Sequence, residues 1–188
     1  DYFYHNPGQT MTVADAATDK PLDMRSTEEL AFAGGHLYAY SYIYNKECAD
    51  MNGAVVKTQF VTDITDENVV KAMDGQYKIT MTMWMKPEKD RTVFKALSPV
   101  NLEYERMPNQ PYKVIDQPVL TFVARQKGEA WTRPFVAVYE PSSDTEPGDI
   151  ASVDFFEPKE EGSVGIIVKL KDGEQQRIVC KESGEVIM

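Results

Sequence analysis

The sequence has few of the residues that build metal centres or covalent crosslinks. It contains two histidines, His5 and His36, and two cysteines, Cys48 and Cys180. Neither histidine has a second His or Cys at ligand spacing, so we expect both to be structural and the protein to use no metal or other cofactor. The two cysteines fit one disulfide or two separate thiols, and both alternatives stay open at this stage.

Basic charge and long apolar runs are also scarce. The 188 residues carry 20 Lys and Arg against 30 Asp and Glu, which gives a formal net charge of −10. Such an excess of negative charge disfavours nucleic acid and anionic membrane surfaces as partners. No apolar run approaches the roughly 20 residues that a transmembrane helix needs. We therefore expect neither a nucleic-acid partner nor a membrane span.

Short strands separated by turn residues run through most of the chain. They predict an all-β fold, an antiparallel β-sandwich of about ten strands, within a single domain spanning residues 1–188. A short helix is predicted over residues 66–73, and the capping-box spacing of Ser26 and Glu29 predicts one helical turn up to Phe32. The predicted strands are 36–44, 57–62, 77–86, 92–97, 112–116, 119–125, 135–139, 150–156, 164–170, 175–180 and 185–188.

Two of these strands are apolar on both faces. Residues 119–125 read Val-Leu-Thr-Phe-Val-Ala-Arg, and residues 135–139 read Phe-Val-Ala-Val-Tyr. A strand with two apolar faces is typical of the middle of a sheet that is covered on both sides. We therefore predict two packed sheets, with these two strands adjacent or nearly adjacent and mainly buried at their centre.

The strand at residues 77–86 alternates instead. Tyr77, Ile79 and three methionines share one face, whereas Lys78, Thr80, Thr82, Trp84 and Lys86 share the other. This pattern predicts a half-buried antiparallel strand.

No catalytic constellation is recognisable, but four aromatic and basic residues near strand and loop ends suggest a binding surface. These candidate substrate-binding residues are Trp84, Arg91, Trp131 and Arg133. Indole rings can stack on sugar rings, and guanidinium groups bind carboxylate or sulfate through two hydrogen bonds. The alternative is that Trp84 packs beneath a loop or against another domain.

Three segments resemble the C-terminal β-sandwich region of heparinase II/III-like polysaccharide lyases. Residues 1–9 (Asp-Tyr-Phe-Tyr-His-Asn-Pro-Gly-Gln) are similar to a Tyr-Asp-Tyr-x-x-His…Gly-Gln stretch of that region. Residues 83–85 (Met-Trp-Met), followed by 90–94 (Asp-Arg-Thr-Val-Phe), resemble later strands of the same region, as do residues 133–141 (Arg-Pro-Phe-Val-Ala-Val-Tyr-Glu-Pro).

The resemblance implies a non-catalytic domain that supports a helical catalytic toroid and contacts a uronic-acid polysaccharide. The family's catalytic and metal-binding residues lie upstream of the matching part, so no catalytic residue carries over, and His5 corresponds to a structural histidine. The chain itself would then be no enzyme, but a fragment of a secreted or periplasmic lyase whose N-terminal catalytic domain is its partner. The alternative is a free-standing carbohydrate-binding or cell-surface interaction module.

Overall fold

A computed structural model describes residues 1–29, 41–64, 67–100, 117–128, 132–181 and 183–188. Over these residues the chain forms thirteen strands and one short helix. The strands are β1 Tyr2–Asn6, β2 Thr10–Asp15, β3 Arg25–Ser26, β4 Tyr44–Asp50, β5 Val56–Asp63, β6 Lys78–Met85, β7 Thr92–Ser98, β8 Val119–Arg125, β9 Ala137–Ser143, β10 Ile150–Phe156, β11 Val164–Leu170, β12 Gln175–Cys180 and β13 Val186–Ile187, and the helix is α1 Glu67–Ala72.

The strands form three sheets in which every pairing is antiparallel. The first sheet has the order β1-β8-β7-β4-β3, the second β2-β5-β6-β9, and the third β10-β11-β12-β13. The all-β prediction is therefore confirmed. In the first two sheets many neighbours are distant in sequence, as β1 and β8 are, whereas the third sheet is a meander of consecutive strands.

The main core lies between the first and second sheets. Phe122 of β8 lies with Phe60 of β5 and Met83 of β6 in one cluster of buried side chains, and all three are at most 1% exposed. The partly buried rings of Tyr4 and Tyr139 pack at its border. Burial of these large apolar side chains is the dominant force that holds the two sheets together.

The third sheet packs on the outer face of the second sheet. Trp84 of β6 lies in a separate cluster with Val153 of β10 and Ile166 and Val168 of β11, and Val138 of β9 packs against the same cluster. The second sheet is thus the middle layer of three, with apolar contacts on both faces. One sandwich was predicted, and the structure adds a third layer to it.

The two strands predicted to be neighbours belong to different sheets. Residues 119–125 form β8, which lies between β1 and β7 and is buried on both faces, as expected. Residues 135–139 lead into β9, which is an edge strand of the second sheet, and all five are half-buried where they were predicted to be mainly buried. The predicted adjacency is wrong, because the two apolar faces of β9 reflect its place in the middle layer, with the first sheet on one side and the third on the other.

Strand β6 also differs from its prediction. Its methionine face lies in the main core, as expected, with Met83 and Met85 fully buried. The opposite face is exposed only at its first residues, since Thr82, Trp84 and Lys86 are all at most 8% exposed. The half-buried interpretation is wrong for this second half, because the third sheet covers it.

Several boundaries shift for physical reasons. Strand β9 runs on through Pro141, which an edge strand tolerates because proline lacks the N–H that a central strand needs. Ser26, predicted as a helix cap, lies instead in β3, where it pairs with Glu47 of β4. Helix α1 confirms the helix predicted over 66–73. The predicted strand 112–116 and most of 36–44 lie outside the described residues, as does His36.

The two cysteines are free thiols. Cys48 lies in β4 of the first sheet and is 1% exposed, whereas Cys180 lies in β12 of the third sheet. Of the two alternatives, the structure therefore has the unbonded thiols.

Candidate functional site

Charged side chains gather where the second sheet meets the third. The end of β6, the loop into β7, the residues before β9 and the loop from β10 to β11 all meet there. We call this group the charged cluster and define it as Lys86, Glu88, Arg91, Arg133 and Glu157. Residues in polar loops supply it, while the apolar strands on either side hold those loops in place.

Arg91 is the buried centre of the charged cluster and is only 1% exposed. Its Nη1 donates to the carbonyl oxygen of Lys86 at 2.8 Å, and its Nε donates to Oε1 of Gln126 at 3.0 Å. The guanidinium group also lies over the ring of Phe135, 4.6 Å from its centroid. This fork therefore ties the loop after β6 to the loops that flank β8 and β9.

Burial also changes the acidity of Arg91. Loss of water around the guanidinium lowers its pKa to about 10, against the opposing effect of Glu88 and with a smaller contribution from the positive charge of Arg133. A pKa of about 10 keeps Arg91 cationic at neutral pH. The Arg91 side chain has a structural role, because it is charged but too buried to contact a ligand.

Lys86 and Glu88 connect the buried Arg91 to the surface. Nζ of Lys86 lies 3.6 Å from Glu88 and 3.1 Å from Glu157, and Glu88 lies 3.1 Å from Nε of Arg133. The Lys86 side chain is 10% exposed, whereas that of Glu157 is 76% exposed. Glu157 is therefore the loosest member of the charged cluster, because solvent screens its ion pair and leaves its side chain room to move.

Glu88 is stabilised as a carboxylate. Burial alone would raise its pKa, but the charge of Lys86, a hydrogen bond from the N–H of Lys89 and the charge of Arg133 together lower the pKa below its ordinary value. Glu88 is thus ionised at neutral pH and holds two cations together.

A cleft of about 260 Å³ opens beside Lys86 and Glu88. Its far wall is the loop at Gly162 and Ser163, which leads into β11 of the third sheet. Ser163 is 5% exposed, and its hydroxyl has no hydrogen-bond partner within the described part of the chain. A buried hydroxyl without a partner costs free energy, so this atom is a candidate contact for a ligand.

A larger groove of about 940 Å³ lies at the other end of β7, between the first and second sheets. The cations on its walls are already paired, Lys95 with Glu47 at 3.6 Å and Lys46 with Glu28 at 3.9 Å. Each charge has an internal partner there, and no buried polar side chain in this groove lacks one among the described residues.

The structure brings two of the four predicted binding residues together and leaves the third apart. Arg91 and Arg133 both belong to the charged cluster. Arg133 is half-buried, and besides Glu88 it donates to the backbone oxygens of Lys127 and Lys89. Trp84 lies in the apolar contact between the second and third sheets and is 4% exposed. Trp131 lies outside the described residues.

Burial decides what these residues offer a ligand. The alternation of β6 predicts that Trp84 lies on a polar face that a glycan could reach, but the third sheet covers that face. Trp84 is a packing residue, as the alternative supposed, but its partner is the third sheet of the same fold and neither a loop nor another domain. Arg133 keeps a partly exposed guanidinium beside the cleft, whereas Arg91 lies behind it. Carbohydrate contact by these four residues stays a prediction; burial disfavours it for Trp84 and Arg91, and Arg133 is the one member within the described residues that stays partly exposed.

Sequence reasoning missed four residues of this region, namely Lys86, Glu88, Glu157 and Ser163. The pattern of β6 places Lys86 on an exposed polar face, and Glu88 belongs to what the sequence shows as a polar break after that strand. Ser163 gives no signal, because its burial depends on how the third sheet docks. Pro87 and Pro134 indicate that the chain turns at each of these two loops, but they do not indicate that the loops lie together.

His5 occupies a structural position. Its Nδ1 lies 3.0 Å from the hydroxyl oxygen of Thr121 on the neighbouring strand, and its ring stacks on Phe3. Among the described residues, no group of three His, Cys, Asp or Glu side chains is placed to hold a metal ion. Within the same residues, no helix is both long and apolar enough to cross a bilayer.

Comparisons with known proteins leave the family open. No protein-family model matches the sequence, and no curated protein matches it significantly. Function is therefore inferred from the residues and their geometry.

Proposed function

We propose that this chain is a non-catalytic β-sandwich domain of a heparinase II/III-like polysaccharide lyase. Its role would be to support the catalytic toroid and to contact an acidic polysaccharide at the charged cluster. In this role the secreted or periplasmic parent protein performs the β-elimination, and the chain supplies a stable wall beside it.

One observation carries the proposal. The three sequence segments that resemble the lyase family contact one another in the fold. Tyr2 stacks on Phe135, with 6.0 Å between ring centroids, and Tyr4 lies 5.1 Å from Tyr139. The guanidinium of Arg91 also contacts the ring of Phe135, 4.6 Å from its centroid. Residues that are scattered over 1–9, 83–94 and 133–141 thus form one continuous packing unit.

The same unit joins both sheets of the main sandwich. Strand β1 belongs to the first sheet, and β9 pairs with β6 in the second, where Met83 lies opposite Tyr139. Aromatic side chains of β1 and β9 meet across the core between them. Residues with this arrangement fix how two sheets stack, and such a role suits a supporting domain better than a reaction centre.

Contact with polysaccharide would be local. The net charge of −10 repels an acidic chain at long range, so binding depends on a few exposed cations and is weak and salt-sensitive. Lys86 and Arg133 border the one cleft that the charged cluster forms with the third sheet among the described residues.

Two measurements test this function. Absorbance of unsaturated uronate should not rise when the pure chain is incubated with uronic-acid polysaccharides, because β-elimination needs a base near the C5 proton and a group that neutralises the carboxylate. Turnover that disappears in His5→Ala would refute the non-catalytic role.

The genomic sequence preceding the codon of Asp1 gives the second test. A coding region for a helical toroid is the expected finding. A signal peptide immediately before Asp1 would refute the supporting role and favour the free-standing carbohydrate-binding module.

A further inference from the structure

The cleft beside Lys86 has the features of a small acidic-ligand site that already holds an internal substitute. Nζ of Lys86 is its cationic wall, the hydroxyl of Ser163 is a hydrogen-bonding group without a partner among the described residues, and the carboxylate of Glu157 lies at 3.1 Å on Lys86. We propose that this cleft binds the carboxylate of a sugar acid, which takes the place of Glu157 on Lys86 and accepts a hydrogen bond from Ser163.

The position of Glu157 shows which chemistry the cleft accepts. Its side chain is 76% exposed, so its ion pair with Lys86 is weak and exchanges readily with solvent and ions. Lys86 is different, because its side chain is 10% exposed and its Nζ also lies 3.6 Å from the half-buried carboxylate of Glu88. The ammonium group of Lys86 is therefore held in place, whereas the Glu157 carboxylate beside it can be replaced. An external carboxylate has the same charge and shape as that of Glu157.

The hydroxyl of Ser163 provides a hydrogen bond that favours an external ligand over a simple exchange of counterions on Lys86. Its hydroxyl is buried without a partner in the described part of the chain, and rotation about one side-chain bond redirects it. A ligand that accepts its hydrogen bond removes the cost of leaving that group unpaired, which Glu157 in its present position does not do. This difference favours the external carboxylate over the internal one.

The size and remaining polarity of the cleft fit one sugar residue. A volume of about 260 Å³ accommodates a monosaccharide but not an extended chain. The Glu88 carboxylate on the same wall can accept hydrogen bonds from sugar hydroxyls. The inference thus specifies the polysaccharide contact of the proposed function, and it depends on that function only for the choice of a uronic acid as the probe.

The test is a calorimetric or NMR titration of the whole chain with sodium glucuronate at low ionic strength, with glucose as a neutral probe of similar size. Glucuronate should bind and glucose should not. Lys86→Gln should weaken binding by at least about tenfold, and Ser163→Ala by about threefold, as expected for charged and neutral hydrogen bonds respectively. Lys169→Gln, which breaks an exposed Lys–Asp pair on the third sheet, is the matched control and should leave binding unchanged.

Glu157→Gln separates the proposal from a loss of folding. Removing the competing carboxylate should tighten glucuronate binding by about two- to fivefold, the range that an exposed ion pair contributes. Absence of glucuronate binding, equal binding of glucose, or weaker binding in Glu157→Gln would each overturn the site. None of these outcomes would refute the supporting role, which the lyase assay and the upstream sequence test separately.

Discussion

Arg91 illustrates how one buried cation can organise several loops. Its guanidinium satisfies the carbonyl of Lys86 and the side chain of Gln126, and its flat face covers Phe135. Desolvation of the charge opposes this arrangement, so the net gain depends on keeping all of these partners. Removal of the Arg91 side chain should therefore lower the free energy of unfolding strongly.

We predict that Arg91→Ala lowers the free energy of unfolding by about 3–5 kcal/mol, because it leaves buried acceptors unpaired and opens a cavity against Phe135. Chemical denaturation monitored by tryptophan fluorescence measures this. Arg25→Ala is the matched control: the Arg25 side chain is 60% exposed and pairs with Asp50 at 3.7 Å, so the change should cost less than about 0.5 kcal/mol. Equal effects of the two substitutions would contradict the structural role of Arg91.

Glu88 makes part of the stability depend on pH. A carboxyl whose pKa is lowered by folding contributes stability above its unfolded pKa of about 4.5, and the contribution is lost as the pH falls through the folded value. Glu88→Gln should therefore destabilise the protein by about 1–3 kcal/mol at pH 7 and by much less at pH 3.

Thermal unfolding of both proteins between pH 3 and pH 7 tests this pH dependence. The two curves should converge at acid pH. Glu47→Gln provides a comparison, because the Glu47 side chain is 41% exposed and pairs with Lys95 at the surface. A deficit of Glu88→Gln that is constant over the whole pH range would show that the charge of Glu88 is not the cause.

At the scale of single elements, a glycine in the third sheet makes room for an aromatic ring. Gly165 of β11 lies opposite Phe156 of β10, and a Cβ added to Gly165 would overlap that ring. The guanidinium of Arg177, on the neighbouring β12, covers Phe156 at 4.2 Å from its centroid. The ring thus fills the place of the missing side chain and is held there from two strands.

Gly165→Ala should therefore destabilise the protein by about 1–3 kcal/mol, the usual cost of overpacking. The double variant Gly165→Ala/Phe156→Ala should be less destabilised than the sum of the two single variants, since it removes the ring that the added methyl group meets. A double-mutant cycle from denaturation curves measures this coupling. Simple additivity would contradict the close contact.

The elements themselves were predicted well where the pattern is local. Strands 119–125, 150–156, 164–170 and 175–180 begin and end as expected, because apolar runs between turn residues define them. Asp172 and Gly173 lie in the turn between β11 and β12, and Gly173 has the positive φ of 95° that suits such a turn. Strand β4 was missed, because Asn45, Lys46 and Glu47 make it polar.

The arrangement of the elements was predicted less well, because it depends on contacts that no local pattern records. An apolar face on Val136 and Val138 indicates burial but does not say which sheet supplies the partner. The cleft has the same origin: Lys86 and Ser163 are brought together only when the third sheet docks on the second. Its residues could therefore be found in the structure and not in the sequence.

At the scale of the whole molecule, Trp84 belongs to the apolar contact between the second and third layers. It lies among Val153, Ile166 and Val168, and it is the largest buried side chain of that cluster. Trp84→Ala should lower the free energy of unfolding by about 3–5 kcal/mol, whereas Trp84→Phe should cost less.

Hydrogen exchange of the same variant reports where stability is lost. Backbone amides of β11 should exchange faster in Trp84→Ala, while those of β8, which lies between β1 and β7 in the first sheet, should keep most of their protection. Uniform acceleration over both strands would instead indicate that the three layers unfold as one cooperative unit.

The order of strands in the first sheet has a consequence for synthesis of the protein. Tyr2 pairs with Ala124, so β1 leaves the ribosome long before its partner β8 has been made. At the usual rate of translation this delay is on the order of ten seconds. For that time a strand rich in tyrosine and phenylalanine has no neighbour of its own sheet, and a chaperone that shields extended aromatic segments would be needed most at this stage.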